Sequence, residues 1–299
     1  MTGQDVLAID AVCNLLTPEV AAARPPWSLS FMQSAFHHDA SIRDGIPLTK
    51  FVDQMDEAGV EHALLIAVKA GPEYDPLSLR LPYQKVVEAV EAYPDRFSGL
   101  VGIDPIEGMK GVRELEDLVT NYGFVGAHLY PHWFGLPPDS ARYYPFYTKC
   151  CELDVPIQMQ AGHCLRYSPD RPLVNVGRPE AIDVVACHLP ELKLVAIHMG
   201  WPWVEEMIAV AFKHPNVYIG SDAYAPAYWP ANFVHYLNSW GKQKVIYGTD
   251  FPALTFARTR KEIDDLDLRP ESKRMLLRTN AITLYGLSDR LPSSRASAS

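Results

Sequence analysis

The sequence has no Cys-x-x-Cys pair, no excess of positive charge, no glycine-rich phosphate loop and no Gly-x-Ser-x-Gly nucleophile elbow. Nor does it hold an apolar run near the ~20 residues that cross a bilayer. Each absence excludes a class of protein. Five cysteines (Cys13, Cys150, Cys151, Cys164 and Cys187) are odd in number and unpaired in spacing. Neither a disulfide framework nor a zinc knuckle is expected from them, and reduced thiols in a cytoplasmic protein are. A formal net charge of −9 at pH 7 speaks against nucleic acid as a partner, which needs a basic face. The first five residues lack the basic segment of a secretory signal, so no membrane partner is expected. No internal repeat or interdomain linker interrupts the chain.

What is present is an ordinary globular balance: 299 residues, 48% hydrophobic and 21% charged. Strand-like runs fall at residues 6–10, 62–68, 97–103, 124–129, 155–160, 193–197, 217–220 and 244–247, with helical stretches between them. Strands alternating with helices pair in parallel through crossover connections. Eight such units fit a closed (β/α)8 TIM barrel, of ~250 residues, better than an open sheet. The expected fold class is therefore α/β, with a single domain over residues 1–287 and a disordered tail over 288–299. Residues 17–47, a long connection after the first strand containing Pro25, Pro26, Trp27, Phe31, Phe36, His37 and His38, read as an ordered loop forming a lid over the barrel mouth. Residues 165–177 make a second long loop.

The chemistry concentrates in two segments, Ala196-Ile197-His198-Met199-Gly200-Trp201-Pro202 and Ile246-Tyr247-Gly248-Thr249-Asp250-Phe251-Pro252. Each is an apolar run that ends in an ionisable side chain and breaks at Gly or Pro. A core strand has no structural need for a terminal His or Asp, and active sites of parallel α/β folds sit at the C-terminal ends of strands. His163, after Gln160-Ala161-Gly162, ends the fifth strand in the same way. Two imidazoles and a carboxylate converging on one mouth can bind a divalent metal, or can polarise a carbonyl and activate water without one. His128, on the fourth strand, joins them if its alternation faces the mouth. Arg24 and Arg166, from the two long loops, are placed to clamp a carboxylate. Tyr218, with Ser221 and Asp222 around the seventh strand, could hydrogen-bond a ligand. The aromatics Trp27 and Trp201 point to a flat or apolar small-molecule substrate.

These segments resemble the amidohydrolase superfamily, in the amidohydrolase-2 branch that holds aminocarboxymuconate-semialdehyde decarboxylase-like and pyrone-dicarboxylate lactonase-like enzymes. The likeness runs from Ile9-Asp10 to Gly286-Leu287. It implies a barrel acting on a small molecule, often as a homo-oligomer. In metal-dependent members the first strand carries Asp-x-His-x-His, the fifth strand a His ligand and the eighth an Asp ligand, while the sixth-strand His polarises substrate. Here the first strand reads Asp10-Ala11-Val12-Cys13-Asn14, with Val12 and Asn14 at the two His positions. Val12 has no donor, and Asn14 offers only an amide oxygen.

The resemblance then implies a hydrolase of a small cyclic or aromatic carbonyl or carboxylate compound, with no tightly bound metal or other cofactor. Asp250 would be the base for water, His198 and His163 would polarise the carbonyl, His128 would assist and Asn14 would hydrogen-bond substrate. If zinc or manganese is bound, the candidate ligands are His163 and Asp250, with His128. Two alternatives stand beside it. One is a non-oxidative decarboxylase, or related lyase or cyclase, of a small aromatic or unsaturated acid. The other is a catalytically silent barrel that binds a small molecule.

Overall fold

The computed structural model describes residues 6–36, 43–168 and 170–291. His37 and His38 of the expected lid, and residues 292–299 of the expected tail, lie outside the described residues. Eight strands form the barrel: β1 Ala8–Cys13, β2 Val60–Ala67, β3 Phe97–Ile103, β4 Gly126–Leu129, β5 Ile157–Gln160, β6 Leu194–Ile197, β7 Val217–Gly220 and β8 Val245–Ile246. Each pairs in parallel with the next in chain order. The ring closes where Ala11 N–H donates to Tyr247 O (3.0 Å), Asp250 N–H to Val12 O (2.8 Å) and Asn14 N–H to Phe251 O (2.9 Å). This is the (β/α)8 barrel that the alternating pattern predicts.

Strand alternation sorts the side chains into two cores. Outward residues such as Leu65, Val101, Met159 and Ile219 pack under the crossover helices. There Phe51, Phe251 and Phe256 interlock, with Phe251 stacked on Phe256 at 4.9 Å. Inward residues Ile9, Leu64, Ile66, Leu100, Val195, Ile197 and Ile246 fill the barrel. Leu284, Tyr285 and Leu287 plug its N-terminal end. The plug is tied on by Asn280, whose Nδ2 donates to Lys242 O (2.8 Å) and Val245 O (2.7 Å). Leu291 belongs to this floor at 7% exposure, so the packed core runs past the expected boundary at residue 287.

The lid differs from the loop expected. It folds as two helices, α1 Pro18–Ala23 and α2 Pro26–Phe36. Thr17 caps the first, its Oγ1 accepting from Val20 N–H at 3.4 Å, and both helices begin with proline. Proline suits the first turn because its missing N–H would have no partner there. A hairpin of two-residue arms, Lys69–Ala70 against Leu79–Arg80, was not expected either. Two residues are too few to carry a period-two pattern. Among the described residues no helix is long and apolar enough to cross a membrane.

Candidate active site

Beyond β8 the chain keeps its alternation, so Gly248 and Asp250 continue the inward series begun by Ile246. A side chain at Gly248 would press against Asp222 and Val12 at about 3 Å. Asp250 then turns into the mouth with φ +55°, and His198, after β6, does the same with φ +64°. Non-glycine residues held in this region cost on the order of 1–3 kcal/mol and cluster at functional sites. Gly162 makes the third turn, at φ +88°, where a Cβ would collide with Trp201 O. Only glycine fits, and the bend delivers His163 to the rim.

Asp250, Asp222 and His198 form a cluster of ionisable groups at the mouth. His198 Nε2 lies 3.3 Å from Asp222 Oδ2 and 3.9 Å from Asp250 Oδ2. Asp222 also accepts the His198 backbone N–H at 3.0 Å, so it fixes the turn that carries the ring. Asn14 Nδ2 donates to Asp250 Oδ1 (3.1 Å) and to Phe251 O (2.9 Å). Burial drives the electrostatics. It pushes Asp250 well above the usual carboxylate range, reinforced by the charge of Asp222 and opposed by Asn14. Asp222 is also raised by burial, against the pull of His198. Burial lowers His198 more than Asp222 raises it. Burial disfavours the charged form of both the carboxyl and the imidazole, and 27% of the Asp250 side chain stays open.

Asp250 sits where two cavities meet. The smaller, about 100 Å³, holds Arg24, Trp27, Phe31, Tyr130, Trp133 and Tyr167. Trp27 faces Trp133 at 5.2 Å, and Tyr167 faces Trp133 at 5.3 Å and Phe31 at 5.0 Å. Trp27 is anchored by Nε1 donating to Leu77 O at 3.0 Å. Into this aromatic slot the lid presents Arg24, which donates only to Ser28 Oγ and Met32 Sδ, each at 3.3 Å, while its Nε has no partner. Burial lowers Arg24 to about 10, resisted by Tyr130 and Asp250. The larger cavity, about 340 Å³, is lined by His163, His198, Gln160, Tyr224, Tyr228 and Arg258 among others.

Of the residues expected from sequence, Asp250, His198, His163, Arg24, Trp27 and Asn14 line these two cavities. His163 is at the exposed rim, its Nδ1 donating to Cys164 O (2.8 Å) and its ring 6.1 Å from Trp203. His128 lies beneath the floor, 1% exposed, lining neither cavity. Trp201 is 41% exposed and packs on Tyr224 at 5.4 Å outside both, and Arg166 is exposed and lines neither. Tyr218 sits at the opposite end of the barrel. Lys244, 4.7 Å from the Tyr218 ring centroid, donates there to the carbonyls of His214 and Pro215, which lead into β7. Tyr218 is thus displaced from the mouth because it lies near the start of its strand, Val217–Gly220, rather than at its end.

Asp222 lies beside His198, and Tyr130, Tyr167 and Arg258, which the sequence does not single out, line the cavities. A signal for Asp222 is in the sequence: Gly220-Ser221-Asp222 repeats the pattern of Gly248-Thr249-Asp250 at the end of the neighbouring strand. Asp10, by contrast, is structural. Its carboxylate accepts Val12 N–H (3.1 Å), Thr249 N–H (3.0 Å) and Thr249 Oγ1–H (2.5 Å), bracing β1 against the end of β8. Burial raises it to about 7 in spite of these bonds.

A metal needs at least three converging donors. Val12 is buried and has none, and Asn14 turns its NH2 toward Asp250. Among the described residues, no three of the remaining donors His128, His163, His198, Asp222 and Asp250 have ligand atoms all within 4.8 Å of one another, so the expected set of His163 and Asp250 with His128 is not brought together. Among the described residues that geometry occurs at Asp183, Cys187 and His214, outside the mouth. The residues at the mouth do not fit a metal held by three ligands.

The amidohydrolase-2 signature, described as amidohydrolase, matches residues 47–287. Gamma-resorcylate decarboxylase of Rhodococcus jostii (strain RHA1) is 25% identical over 289 residues, covering 78% of this chain and 85% of the relative. An uncharacterised TIM-barrel protein of Bordetella bronchiseptica superposes with a TM-score of 0.74 at 24% identity, over 93% of this chain and 98% of that one. The 5-carboxyvanillate decarboxylase of Novosphingobium aromaticivorans DSM 12444, solved with bound manganese, gives 0.69 at 18% identity over 95% and 98%. Two of these three carry decarboxylase names and the Bordetella protein is uncharacterised, so the hydrolytic expectation gains no support from them. With a signature over most of its length, an eight-stranded barrel and its ionisable groups at the strand ends, the chain belongs to the amidohydrolase-2 family of enzymes.

Proposed function

We propose that the protein is a non-oxidative decarboxylase of a small aromatic or unsaturated carboxylic acid. The observation that carries this reading is the placement of Asp250. Its carboxyl, pushed well above the usual carboxylate range by burial and by the neighbouring Asp222, faces an aromatic slot that also contains the Arg24 cation. An acid next to a ring is what decarboxylation by carbon protonation requires. The named relatives act in the same direction.

The steps follow from the side chains. Arg24 draws the anionic acid out of water, and Trp27, Trp133 and Tyr167 hold its flat face. Asp250 donates its proton to the ring or alkenyl carbon that bears the carboxylate. The carbon–carboxyl bond then breaks, its electron pair returns to the π-system, and CO2 leaves. Asp250 is left as an anion, which the His198 ring 3.9 Å away can stabilise by taking a proton from solvent and passing it on. No net oxidation occurs, and one proton replaces one CO2.

The hydrolytic reading uses the same pair in the opposite protonation state, with Asp250 ionised as the base for water. The two are separated by turnover in D2O with a panel of hydroxybenzoates and unsaturated acids. Release of CO2 with one deuterium at the vacated carbon is the expected result. Cleavage of lactones by the same preparation, with no CO2 from any acid, would replace the decarboxylase reading by the hydrolytic one.

A further inference from the structure

We propose that Asp183, Cys187 and His214 form a second site, on the outer face of the barrel, that binds a borderline-soft divalent transition metal such as Zn2+. Asp183 and Cys187 stand four residues apart on the helix Pro179–His188, so they share one face. His214 ends the next helix, Val204–Lys213. His214 Nε2 is 2.7 Å from Asp183 Oδ1 and 3.9 Å from Cys187 Sγ, and all three ligand atoms lie within 4.8 Å of one another. Around a tetrahedral Zn2+ with bonds of ~2.0–2.3 Å, ligand atoms are separated by roughly 3.2–3.8 Å. The His214–Cys187 separation already lies close to that range, and the His214–Asp183 pair reaches it by opening about half an ångström.

The cluster already attracts a cation. The Lys213 ammonium donates to both Asp183 oxygens at 2.8 Å and lies 3.7 Å from Cys187 Sγ. Lys213 is 55% exposed and can swing into water as the metal enters. Cys187 is exposed, so entry requires no opening of the fold. Sulfur and imidazole donors favour Zn2+ over magnesium, calcium or manganese. On binding, the thiol loses its proton to solvent, the sulfur–metal bond forms, and a water completes the fourth position. The metal would join the two helices that follow β5 and β6, the strands that carry His163 and His198, and it is independent of the reaction proposed for the mouth.

Co2+ is the probe, titrated into the full-length protein under reducing conditions. The expected result is a thiolate-to-cobalt charge-transfer band that saturates at about one equivalent per chain and is bleached by Zn2+. It should vanish in Cys187→Ser, weaken in His214→Gln, tighten several-fold in Lys213→Met and stay unchanged in Asp250→Asn. In the unmodified protein, Zn2+ should also slow alkylation of Cys187, read by mass spectrometry, which needs no variant to fold. No band, a band that survives Cys187→Ser, or alkylation indifferent to Zn2+ would overturn the site.

Discussion

Two imidazoles lie inside the barrel, His62 and His128, and they differ in one respect. Both are at most 1% exposed, and burial keeps both neutral, His62 at about 4 and His128 at about 3. His62 is satisfied on both nitrogens: Nδ1 donates to Asp95 O at 3.1 Å and Nε2 accepts from Ser98 Oγ at 2.9 Å. His128 is satisfied on one. Gln158 Nε2 donates to His128 Nδ1 at 2.9 Å, and the amide is oriented by Tyr285, whose hydroxyl donates to Gln158 Oε1 at 2.9 Å. The proton is thereby kept on Nε2, which has no partner. His198 Nε2, Asp222 Oδ2 and Gln160 Oε1 share that condition around the mouth.

Burial alone therefore does not mark function in this barrel. What separates the two histidines is hydrogen-bonding capacity left unfilled by the protein. Such groups are costly in a fold with no use for them. The carboxylates differ in the same way: Asp10 has three donors and braces the barrel seam, whereas Asp222 Oδ2 has no hydrogen-bond partner and Asp250 keeps 27% of its side chain open.

The contrast can be broken first at Asp250. Asp250→Asn keeps the shape and removes the acid, and turnover should fall by ~10²–10⁴-fold while thermal unfolding stays near that of the unmodified protein. Arg24→Met should raise KM for an acid substrate by about 10–100-fold, the loss of a charge-assisted bond in a desolvated slot, with a smaller change in kcat. The pH profile sharpens the same point. If Asp250 acts as the acid, kcat falls as pH rises through its elevated pKa, and a rise over that range would assign it as a base.

Smaller effects distinguish the histidines themselves. His62→Leu leaves Ser98 and the Asp95 carbonyl unpaired and should cost ~1–3 kcal/mol in urea unfolding, with activity per folded molecule unchanged. His128→Leu should show the reverse emphasis, with the larger loss in turnover. Both histidines have folded-state pKa values below the ordinary 6.5, so unfolding takes up protons. Their stabilisation is complete above about pH 6.5 and is lost as pH falls toward about 4 and about 3. Urea midpoints between pH 7 and pH 4 should decline, less steeply in His62→Leu. A midpoint that rises on acidification would contradict the assignment.

The barrel itself was legible in the residue order. Eight apolar runs bounded by Gly, Pro and polar turns, each long enough to display a period, specify strands wherever they meet, and their alternation with helical stretches specifies parallel closure. The convergence of His198 and Asp250 was legible as well, because both follow buried runs at strand ends and the barrel brings them to one mouth. Tertiary structure decided the rest. It folded the lid into helices that bring Arg24 and Trp27 over Asp250, residues more than 220 positions away in the chain. It sent Tyr218 to the floor and His163 to the rim, since height in a barrel depends on strand stagger, which sequence spacing does not encode. It also set the protonation states. A pKa is fixed by burial and by neighbours in space, and Asp222 reaches Asp250 and His198 only once the barrel has closed.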